Sequence, residues 1–340
     1  MDFQQNISLK TYNTFNVDSI AKHFVALSVE SEVIDIVGSD IFKQNRFLVL
    51  GHGSNILFID DFNGLVIRNE IKGNKIVSED DNHILIEVGA GENWHNFVSD
   101  NLASGFYGLE NLALIPGTVG SAAIQNIGAY GIEQKDFLDS VYGFNIETKK
   151  YQRLTNTECE YGYRSSIFKS ELKDKFIITS IRYKLNKIAV LNYNYKDITE
   201  HLNQYSITYP TPKDIFDAVV YIRTHKLPDW HLIGNAGSFF KNPVVPKSKS
   251  VVLKEEYPEM PVYHFSDESD KISAAWIIQK AGWKGHIEGS CGVYEHHSLI
   301  LVNLGNATGK EIYDLSQKIQ ANILAKFDIQ LEPEVLIIGN

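Results

Sequence analysis

The chain has 340 residues, which at roughly 150 residues per domain predicts two or three domains. Its 44% hydrophobic and 22% charged residues are ordinary for a globular protein and exclude a disordered or fibrous chain. With 32 Lys and Arg against 42 Asp and Glu, the net charge is −10, which argues against nucleic acid or an anionic membrane as the main partner. A phosphorylated ligand would have to bind against that overall charge.

The two cysteines, Cys159 and Cys291, are too few for a disulfide framework or a zinc site. One bridge between them remains possible, but a reduced cytosolic protein is favoured. The N-terminal residues lack the apolar stretch of a signal peptide, and no apolar run approaches the roughly 18 residues of a membrane-spanning helix. We therefore expect a soluble, cytoplasmic monomer with no nucleic-acid or membrane partner.

Short apolar runs predict strands in the first half of the chain. These strands are Ala21–Val29, Arg46–Leu50, Ile56–Ile59, Gly64–Ile67, His83–Val88 and, further on, Phe176–Lys184. Helices are predicted near Glu32–Val37 and from Asn93 to Gly105. The segment from Gly105 to Gly131 is rich in glycine, poor in charge and without helix or strand periodicity. A loop of this length is typical of a functional segment.

The second half shows a mixture of helix and strand signals. Thr211 and Pro212 begin a helix, and Pro228 ends it at a predicted domain boundary. Strands are predicted near Ser238–Lys241, Ser298–Asn303, Phe327–Leu331 and Val335–Ile338, and helices near Lys271–Ala281 and Thr308–Lys326. The mostly antiparallel signals fit an α+β fold better than a doubly wound sheet.

Two glycine-rich segments suggest anion binding. Residues 51–55, GHGSN, follow a predicted strand, and their glycines can turn the backbone so that successive N–H groups face a pyrophosphate. A simple tight turn is an equally good interpretation, and Ile56 stands where a Rossmann fingerprint has its third glycine. A second segment, Ile115–Ala123, could present further N–H donors. Two such segments favour a bound dinucleotide.

Three polar residues are candidates for catalysis: Arg164 in YGYRSS, Ser238 in GNAGSFFKNP and Glu334 in LEPEV. Each alone is explained more simply, as a surface arginine, a turn serine and a solvated carboxylate. Ser238 lacks the G-x-S-x-G spacing of a nucleophile, but it could donate a proton. The adjacent His296 and His297 would point to opposite faces of a strand, and no metal site is predicted.

These motifs occur together in one order along the chain. The order is GHGSN, NLALIPGTVGSAAIQNIGAYGIE, YGYRSSIFK, THKLPD, GNAGSFFKNP and LEPEV. It resembles the MurB family of UDP-N-acetylenolpyruvoylglucosamine reductases, and the resemblance covers nearly the whole chain. That family acts in bacterial peptidoglycan synthesis, and so in cell-wall formation, cell shape and cell division. The insertion around Val190–Thr211 resembles the tyrosine-bearing loop of the longer, type I branch.

The resemblance implies an α+β fold with an FAD-binding domain of the vanillyl-alcohol-oxidase type. This domain would have two subdomains, residues 1–68 and 69–227, the second with the insertion at about 190–211. A substrate-binding domain would follow at 228–328. Residues 329–340 would form a C-terminal strand that returns to the active site.

The implied cofactor is non-covalent FAD, reduced by NADPH. By resemblance, the residues that bind FAD are Gly51, His52, Gly53, Ser54, Asn55, Gly117, Thr118, Val119, Gly120, Ser121, Gln125, Asn126, Ile127 and Arg223. Related flavin oxidases attach FAD covalently to a histidine in a glycine-rich loop near this place. Covalent attachment through His52 is therefore an alternative.

The implied reaction converts UDP-N-acetylglucosamine enolpyruvate to UDP-N-acetylmuramate. Hydride transfer leaves a carbanion beside a carboxylate, and its charge spreads as an enediolate that the site must stabilise. Arg164 and Glu334 match the family residues with this role, and a protonated Glu334 could donate a hydrogen bond. Ser238 matches the general acid that protonates the second carbon.

By resemblance, the substrate contacts are Tyr195, Lys226, Asn242, Tyr130 and His297. His297 stands where many relatives have glutamine, which puts that contact in doubt. Two alternatives are an FAD-dependent oxidase of the same fold that acts on another substrate and an inactive nucleotide-sugar sensor. The presence of Ser238, Arg164 and Glu334 together argues against both.

Overall fold

The computed structural model describes residues 2–339, and these form two compact units. The first unit contains the residues up to Ile7, Ala21–His52 and Asn63–His225. The second contains Ser8–Ile20, Gly53–Phe62 and the chain from Lys226 onward. The GHGSN segment is thus divided, with its first two residues in the first unit and its last three in the second.

The secondary structure mixes short strands with helices of 5 to 19 residues. The strands are β1 Gln4–Ser8, β2 Ile20–Leu27, β3 Phe47–Leu50, β4 Ile56–Phe58, β5 Phe62–Asn69, β6 Asn74–Glu79, β7 His83–Gly89, β8 Gly128–Ala129, β9 Ile132–Glu133, β10 Leu138–Asn145, β11 Lys150–Thr155, β12 Phe176–Asn186, β13 Gly234–Ser238, β14 Val244–Pro246, β15 Val262–His264, β16 Ser269–Ile272, β17 Ile287–Glu288, β18 Cys291–Val293, β19 Ile300–Asn303 and β20 Leu336–Ile338. The helices are α1 Glu32–Gly38, α2 Asp40–Gln44, α3 Trp94–Ala103, α4 Val119–Gln125, α5 Lys196–Gln204, α6 Pro212–Lys226, α7 Lys247–Glu256, α8 Ala274–Lys280 and α9 Gly309–Phe327.

The first unit is built on two sheets. One has the order β1-β2-β5-β3, with β3 and β5 parallel, and the other has the order β11-β10-β12-β7-β6 with antiparallel neighbours. Phe144 of β10 and Ile177 of β12 pack with Val25, Ile36 and Leu65 in one buried cluster. The two sheets therefore share part of their core.

A second core of the first unit fixes the elements that carry candidate site residues. Trp94, the first residue of α3, is fully buried, and its Nε1–H donates to the Leu112 carbonyl at 2.8 Å. The same cluster contains Ile215, Val219 and Ile222 of α6. These residues recur at helical spacing, so the helix is held by one apolar face.

The second unit combines a sheet of order β13-β19-β18-β17 with a three-stranded sheet of order β14-β16-β15. A separate parallel pair joins β20 to β4, with Leu336 opposite Ile56. This pairing brings the C-terminal segment beside the strand that follows GHGSN. The helix α9 begins with a capping box, in which Thr308 and Glu311 satisfy each other's backbone N–H groups, as the sequence predicts.

The α+β fold class is confirmed, but three predicted segments are wrong or displaced. The helix expected near Lys271–Ala281 begins only at Ala274, because Ile272 ends β16 and Ser273 caps the helix. The strand expected near Ser238–Lys241 ends at Ser238. The predicted strand Phe327–Leu331 is absent from the described structure, because α9 continues through Phe327.

The segment 105–131 also differs from expectation, since it contains a 3₁₀ turn at Glu110–Leu112, the helix α4 and the short strand β8. The sequence of α4, VGSAAIQ, is only seven residues long and consists mainly of small side chains. Such a helix buries too few large apolar residues to produce a helical period.

Both cysteines are unbridged and buried, which excludes the bridge left open above. Burial raises the pKa of Cys159 to about 12 and that of Cys291 to about 11, so both thiols stay protonated near neutral pH. None of the helices in residues 2–339 combines the length and apolar character needed to cross a membrane. Over the same residues, His, Cys, Asp and Glu side chains form no group of three that could hold a metal ion.

We predict that Gly309→Ala destabilises the second unit. A Cβ on this first residue of α9 would overlap the carbonyl oxygen of Phe58 in β4, so strand or helix must move. We expect a loss of about 2 kcal/mol or more in the free energy of unfolding, measured by urea denaturation.

The matched control for this prediction is Gly38→Ala at the end of α1. A Cβ there meets nothing within 4 Å, so the substitution should change stability by less than about 1 kcal/mol. Equal effects of the two substitutions would contradict the proposed close approach of α9 to β4.

Candidate active site

The hairpin of β8 and β9 lies at the centre of the candidate site residues in the first unit. Its two turn residues, Tyr130 and Gly131, have φ of 50° and 82°, the left-handed backbone of a type I′ turn. Glycine adopts this conformation freely, whereas in tyrosine it is strained. The turn is held from outside by Asn111, whose Nδ2 donates to the Tyr130 carbonyl at 3.0 Å.

Arg164 is attached to this hairpin. It also has a left-handed backbone, with φ of 52°, inside a tight turn closed by two hydrogen bonds between Gly162 and Ser165. Its Nη2 donates to the carbonyl of Gly128 in β8 at 3.1 Å, and its own carbonyl accepts from Lys169 Nζ at 2.8 Å. The Gly128 carbonyl therefore orients the guanidinium, while Lys169 and the tight turn hold the backbone of Arg164.

Asn126 connects the Arg164 turn to the rest of the site. It ends α4 with a left-handed φ of 46°, and its Nδ2 donates to Glu133 Oε2 at 2.9 Å and to the Gly162 carbonyl at 3.0 Å. The side chain is fully buried. Within the described part of the chain, no group donates a hydrogen bond to its Oδ1.

Arg223 and Tyr195 contact the same turn residue. The Arg223 Nε donates to the Leu114 carbonyl at 3.2 Å, and its guanidinium donates to the Tyr130 hydroxyl. The Tyr195 ring meets the Tyr130 ring edge to face, with centroids 5.2 Å apart. The structure thus brings together Tyr130, Tyr195, Arg164 and Arg223, which lie far apart in sequence.

Burial determines the ionisation of this cluster. Desolvation lowers the pKa of Arg223, the Tyr130 hydroxyl counteracts this, and the positive charge of Arg164 lowers it further. Desolvation raises the pKa of Tyr130, so its hydroxyl is neutral at physiological pH. The cluster therefore places two neighbouring guanidinium groups beside a neutral phenol.

The two glycine-rich segments approach each other in the first unit. A Cβ on Gly51 would lie 2.7 Å from Thr118 Oγ1 and 3.4 Å from Ser121 Cβ, so only glycine allows this distance. The N–H groups of Val119 and Gly120 donate to the carbonyls of Glu92 and Ala90. The Thr118 N–H donates to Ser121 Oγ, and the Ser121 N–H donates to Thr118 Oγ1. The backbone N–H groups of residues 118–121 are therefore all hydrogen-bonded within the protein.

In the second unit, Ser238 and Glu334 lie on neighbouring segments. Ser238 ends β13 opposite Ile300, and the next residue, Phe239, accepts a hydrogen bond at its carbonyl from the Glu334 N–H at 2.7 Å. Asn55 Nδ2 donates to the Glu334 carbonyl at 3.1 Å. Asn55, the last residue of GHGSN, is therefore hydrogen-bonded to the backbone of Glu334.

The remaining predicted residues of the second unit are more dispersed. His297 Nδ1 accepts the Leu299 N–H at 3.3 Å. Since the Leu299 carbonyl accepts the Phe239 N–H, His297 lies near the segment that carries Ser238. Asn242 instead accepts the N–H of Ala274 at the start of α8. Gly53 has φ of 68° and is buried against Tyr12, Ser54 is half-buried, and Lys226 is exposed at the end of α6.

Gln125 and Ile127 are both half-buried at the C-terminal end of α4, on either side of Asn126. Gly117 precedes the helix with φ of 142°, and its carbonyl accepts the Trp94 N–H at 3.1 Å. This contact ties the loop before α4 to the start of α3.

His95, which no sequence motif indicates, is also part of the site. Its Nδ1 accepts the N–H of Leu114 at 3.0 Å, which fixes the neutral ring and holds Leu114 in a left-handed conformation with φ of 57°. The Leu114 carbonyl is the acceptor for Arg223. The ring also stacks on Phe216 of α6, and burial, followed by the charge of Arg223, lowers the His95 pKa. A lone histidine in a helix gives no sequence signal for such a role.

Models of two known domain families match the chain. Residues 21–148 match an FAD-binding domain, and residues 228–338 match the C-terminal domain of UDP-N-acetylenolpyruvoylglucosamine reductase. The first match confirms the expected FAD-binding domain.

The polar groups of the first unit fit FAD. A flavin ring has N–H and carbonyl groups and carries its hydride chemistry at a planar face, so it needs buried donors and acceptors at its edge. Asn126 Oδ1 is a buried acceptor, and the Arg223 guanidinium is a desolvated donor. The absence of a side chain at Gly51 lets the two glycine-rich segments pack closely together, with Gly51 against the small side chains of Thr118 and Ser121.

Whole-chain comparisons extend this result. The chain is 45% identical to UDP-N-acetylenolpyruvoylglucosamine reductase of Flavobacterium johnsoniae over 99% of this chain and 100% of the relative. It is 42% identical to the enzyme of that name from Chromobacterium violaceum over 99% of both. The fold resembles the crystal structure of UDP-N-acetylenolpyruvylglucosamine reductase (MurB) from Thermus caldophilus, with a TM-score of 0.67, 23% identity and full coverage of both chains. The chain belongs to the UDP-N-acetylenolpyruvoylglucosamine reductase family of FAD-containing oxidoreductases.

Proposed function

We propose that this protein uses NADPH to reduce UDP-N-acetylglucosamine enolpyruvate to UDP-N-acetylmuramate in peptidoglycan synthesis. The observation that carries the proposal is the presence of Arg164, Ser238 and Glu334 in settings suited to the chemistry. Arg164 is oriented by its own strained backbone, and Glu334 is hydrogen-bonded to the residue after Ser238. The printed names of relatives 45% and 42% identical over the whole chain support it.

Bound FAD supplies the hydride transfer, from NADPH to the enol ether of the substrate. Among the residues proposed to hold it, Asn126 and Arg223 offer a buried acceptor and donor, and Gly51 and Gly117–Ser121 form a closely packed pair of segments with small side chains. The N–H groups of residues 118–121 are already hydrogen-bonded within the protein. We therefore propose that this segment contributes to FAD binding through its shape and not by donating N–H groups.

We assign stabilisation of the enediolate to Arg164 and Glu334. The charge that develops beside the substrate carboxylate needs donors that are oriented before the reaction. Arg164 meets this requirement, since its backbone turn and the Gly128 carbonyl fix the guanidinium. Glu334 contributes as a hydrogen-bond donor in its protonated form.

We assign the final proton transfer to Ser238. This residue is half-buried at the end of β13, between Gly237, which has φ of 68°, and the buried Phe239. A serine is a weak acid, but a carbanion is a strong base, so the transfer is feasible. Tyr130, Tyr195, Lys226, Asn242 and His297 are proposed to bind the substrate.

We further propose that the reaction takes place in the cytoplasm. The two unbridged, buried cysteines are typical of a reducing compartment. We propose a monomer as the active form.

The first test is turnover by the purified protein. Incubation with NADPH and UDP-N-acetylglucosamine enolpyruvate should give substrate-dependent NADPH oxidation and form UDP-N-acetylmuramate, measured by absorbance at the nicotinamide band and by mass spectrometry. The control omits the enolpyruvate substrate. No turnover by folded, flavin-loaded protein would refute the assignment.

A second test concerns how FAD is held. Because we propose non-covalent binding, acid precipitation should release all of the yellow flavin into the supernatant. Flavin that stays with the precipitated wild-type protein but not with His52→Ala would instead establish attachment through His52.

A third test concerns the proton donor. Ser238→Ala should retain reduction of the flavin by NADPH but lose about 10²–10⁴-fold in turnover, because only the protonation step loses its acid. Stopped-flow measurement of the two half-reactions separates these steps. Ser248→Ala, an exposed serine of α7, is the control and should behave as wild type. Near-normal turnover of Ser238→Ala would exclude this serine as the general acid.

A further inference from the structure

We propose that Asn111 is a positioning residue for substrate binding, because it joins the turn that carries Tyr130 to the insertion that carries Tyr195. This inference rests on the proposed roles of the two tyrosines. Asn111 itself touches neither aromatic ring in the contacts described. It acts through the backbone that presents them.

The two N–H groups of a single side-chain amide make the connection. Asn111 Nδ2 donates to the Tyr130 carbonyl at 3.0 Å and to the Asn192 carbonyl at 2.8 Å. The residue is buried, with only 3% of its surface exposed. The acceptor residues Tyr130 and Asn192 are half-buried, and loss of a donor from a partly desolvated carbonyl is costly, so the bridge is a local constraint.

A second hydrogen bond joins the same loop and turn, with the donor now in the loop. Asn192 Nδ2 donates to the carbonyl of Gly131, the other residue of the hairpin turn, at 3.3 Å. The loop and the turn are therefore joined by both asparagines. Tyr195 follows three residues later and meets the Tyr130 ring at 5.2 Å, although 47% of its surface is exposed.

The insertion has its other attachment on the far side of Tyr195. The helix α5 begins at Lys196 and buries Ile198 and Leu202 in the second core of the first unit, the one that contains Trp94. Tyr195 thus lies between a helix fixed by apolar packing and a loop fixed by Asn111. Without the Asn111 bridge, the longer Asn192 bond of 3.3 Å would have to join the loop to the hairpin turn.

Asn111 can serve as an anchor because its own segment is rigid. It lies in a short 3₁₀ turn, Glu110–Leu112, whose flanking residues are buried. The Leu112 carbonyl accepts the Trp94 Nε1–H, and the Glu110 carboxylate accepts the Gly108 N–H at 2.9 and 3.0 Å. The Asn111 bridge therefore connects the segments that carry the two tyrosines to the buried core.

The chemistry of the bridge requires an asparagine at position 111. Two carbonyl acceptors need two donors from one short side chain, which an amide supplies. An aspartate cannot take its place, since a carboxylate offers only acceptors to the two carbonyls. In Asn111→Asp the shape remains and the donors are lost, and in Asn111→Ala both are lost.

Asn156 provides a matched control in the same unit. Its Nδ2 also donates to two carbonyls, those of Lys135 and Leu138, at 2.6 and 2.7 Å. These carbonyls lie outside the residues proposed to bind substrate. Substitution of Asn156 should therefore reproduce the structural cost without the effect on substrate binding.

The experiment compares Asn111→Asp and Asn111→Ala with the same changes at Asn156. In the Asn111 variants, the KM for UDP-N-acetylglucosamine enolpyruvate should rise by about tenfold or more, with a smaller change in kcat. Their flavin content and the reduction of the flavin by dithionite should match wild type. The Asn156 variants should lower the thermal midpoint but keep the wild-type KM.

Asn192→Ala is a milder variant that removes only the bond to Gly131, and it should raise the same KM by a smaller factor. It keeps the proposal testable if the Asn111 variants do not fold. An unchanged KM in folded Asn111 variants, or in Asn192→Ala where the Asn111 variants do not fold, would overturn the proposal. An equal rise in the Asn156 variants would also overturn it.

Failure of the proposed function gives a different result. In that case wild type itself does not turn over the substrate, and the anchoring role is read from amide hydrogen exchange of residues 190–195. Faster exchange in the Asn111 variants than in the Asn156 variants supports the anchor. Equal exchange in both overturns it.

Discussion

The left-handed turn at Tyr130 and Gly131 is the constraint on which the first-unit site depends. A two-residue hairpin with a type I′ turn requires positive φ at both turn positions, and a tyrosine adopts this conformation only when its surroundings enforce it. Here Asn111 holds the Tyr130 carbonyl, Arg223 bonds to the hydroxyl, and Arg164 holds the adjoining strand through Gly128. The strain is thus balanced by contacts from three separate parts of the chain.

The same backbone conformation recurs at Leu114, Asn126 and Arg164, with φ between 46° and 57°. Each residue directs a polar group toward the hairpin or toward Arg223. Leu114 presents a carbonyl, Asn126 ends a helix so that its amide can reach two acceptors, and Arg164 turns its guanidinium back to Gly128. Regular helix or strand could not place these groups so close together, so irregular backbone is a requirement of this site.

Part of this arrangement could be predicted from sequence. Periodic segments such as α6 and α9 bury large apolar residues on one face, and the capping signals at Thr211 and Thr308 mark where they begin. Motif order predicted Arg164, Ser238 and Glu334 as candidates, and their roles remain predictions. The contact between Phe239 and Glu334 and the function of His95 could not be predicted, because they depend on long-range pairing that no local pattern records.

The acidic net charge of −10 raises the question of how anionic ligands would be held. Arg164 and Arg223 lie close enough for one to lower the pKa of the other, so the folded chain keeps two like charges together at a cost. Neutral acceptors, the Leu114 and Gly128 carbonyls and the Tyr130 hydroxyl, are among the groups that orient these two cations. The local potential around an anionic ligand depends on a few desolvated groups of this kind, while net charge acts mainly on solubility.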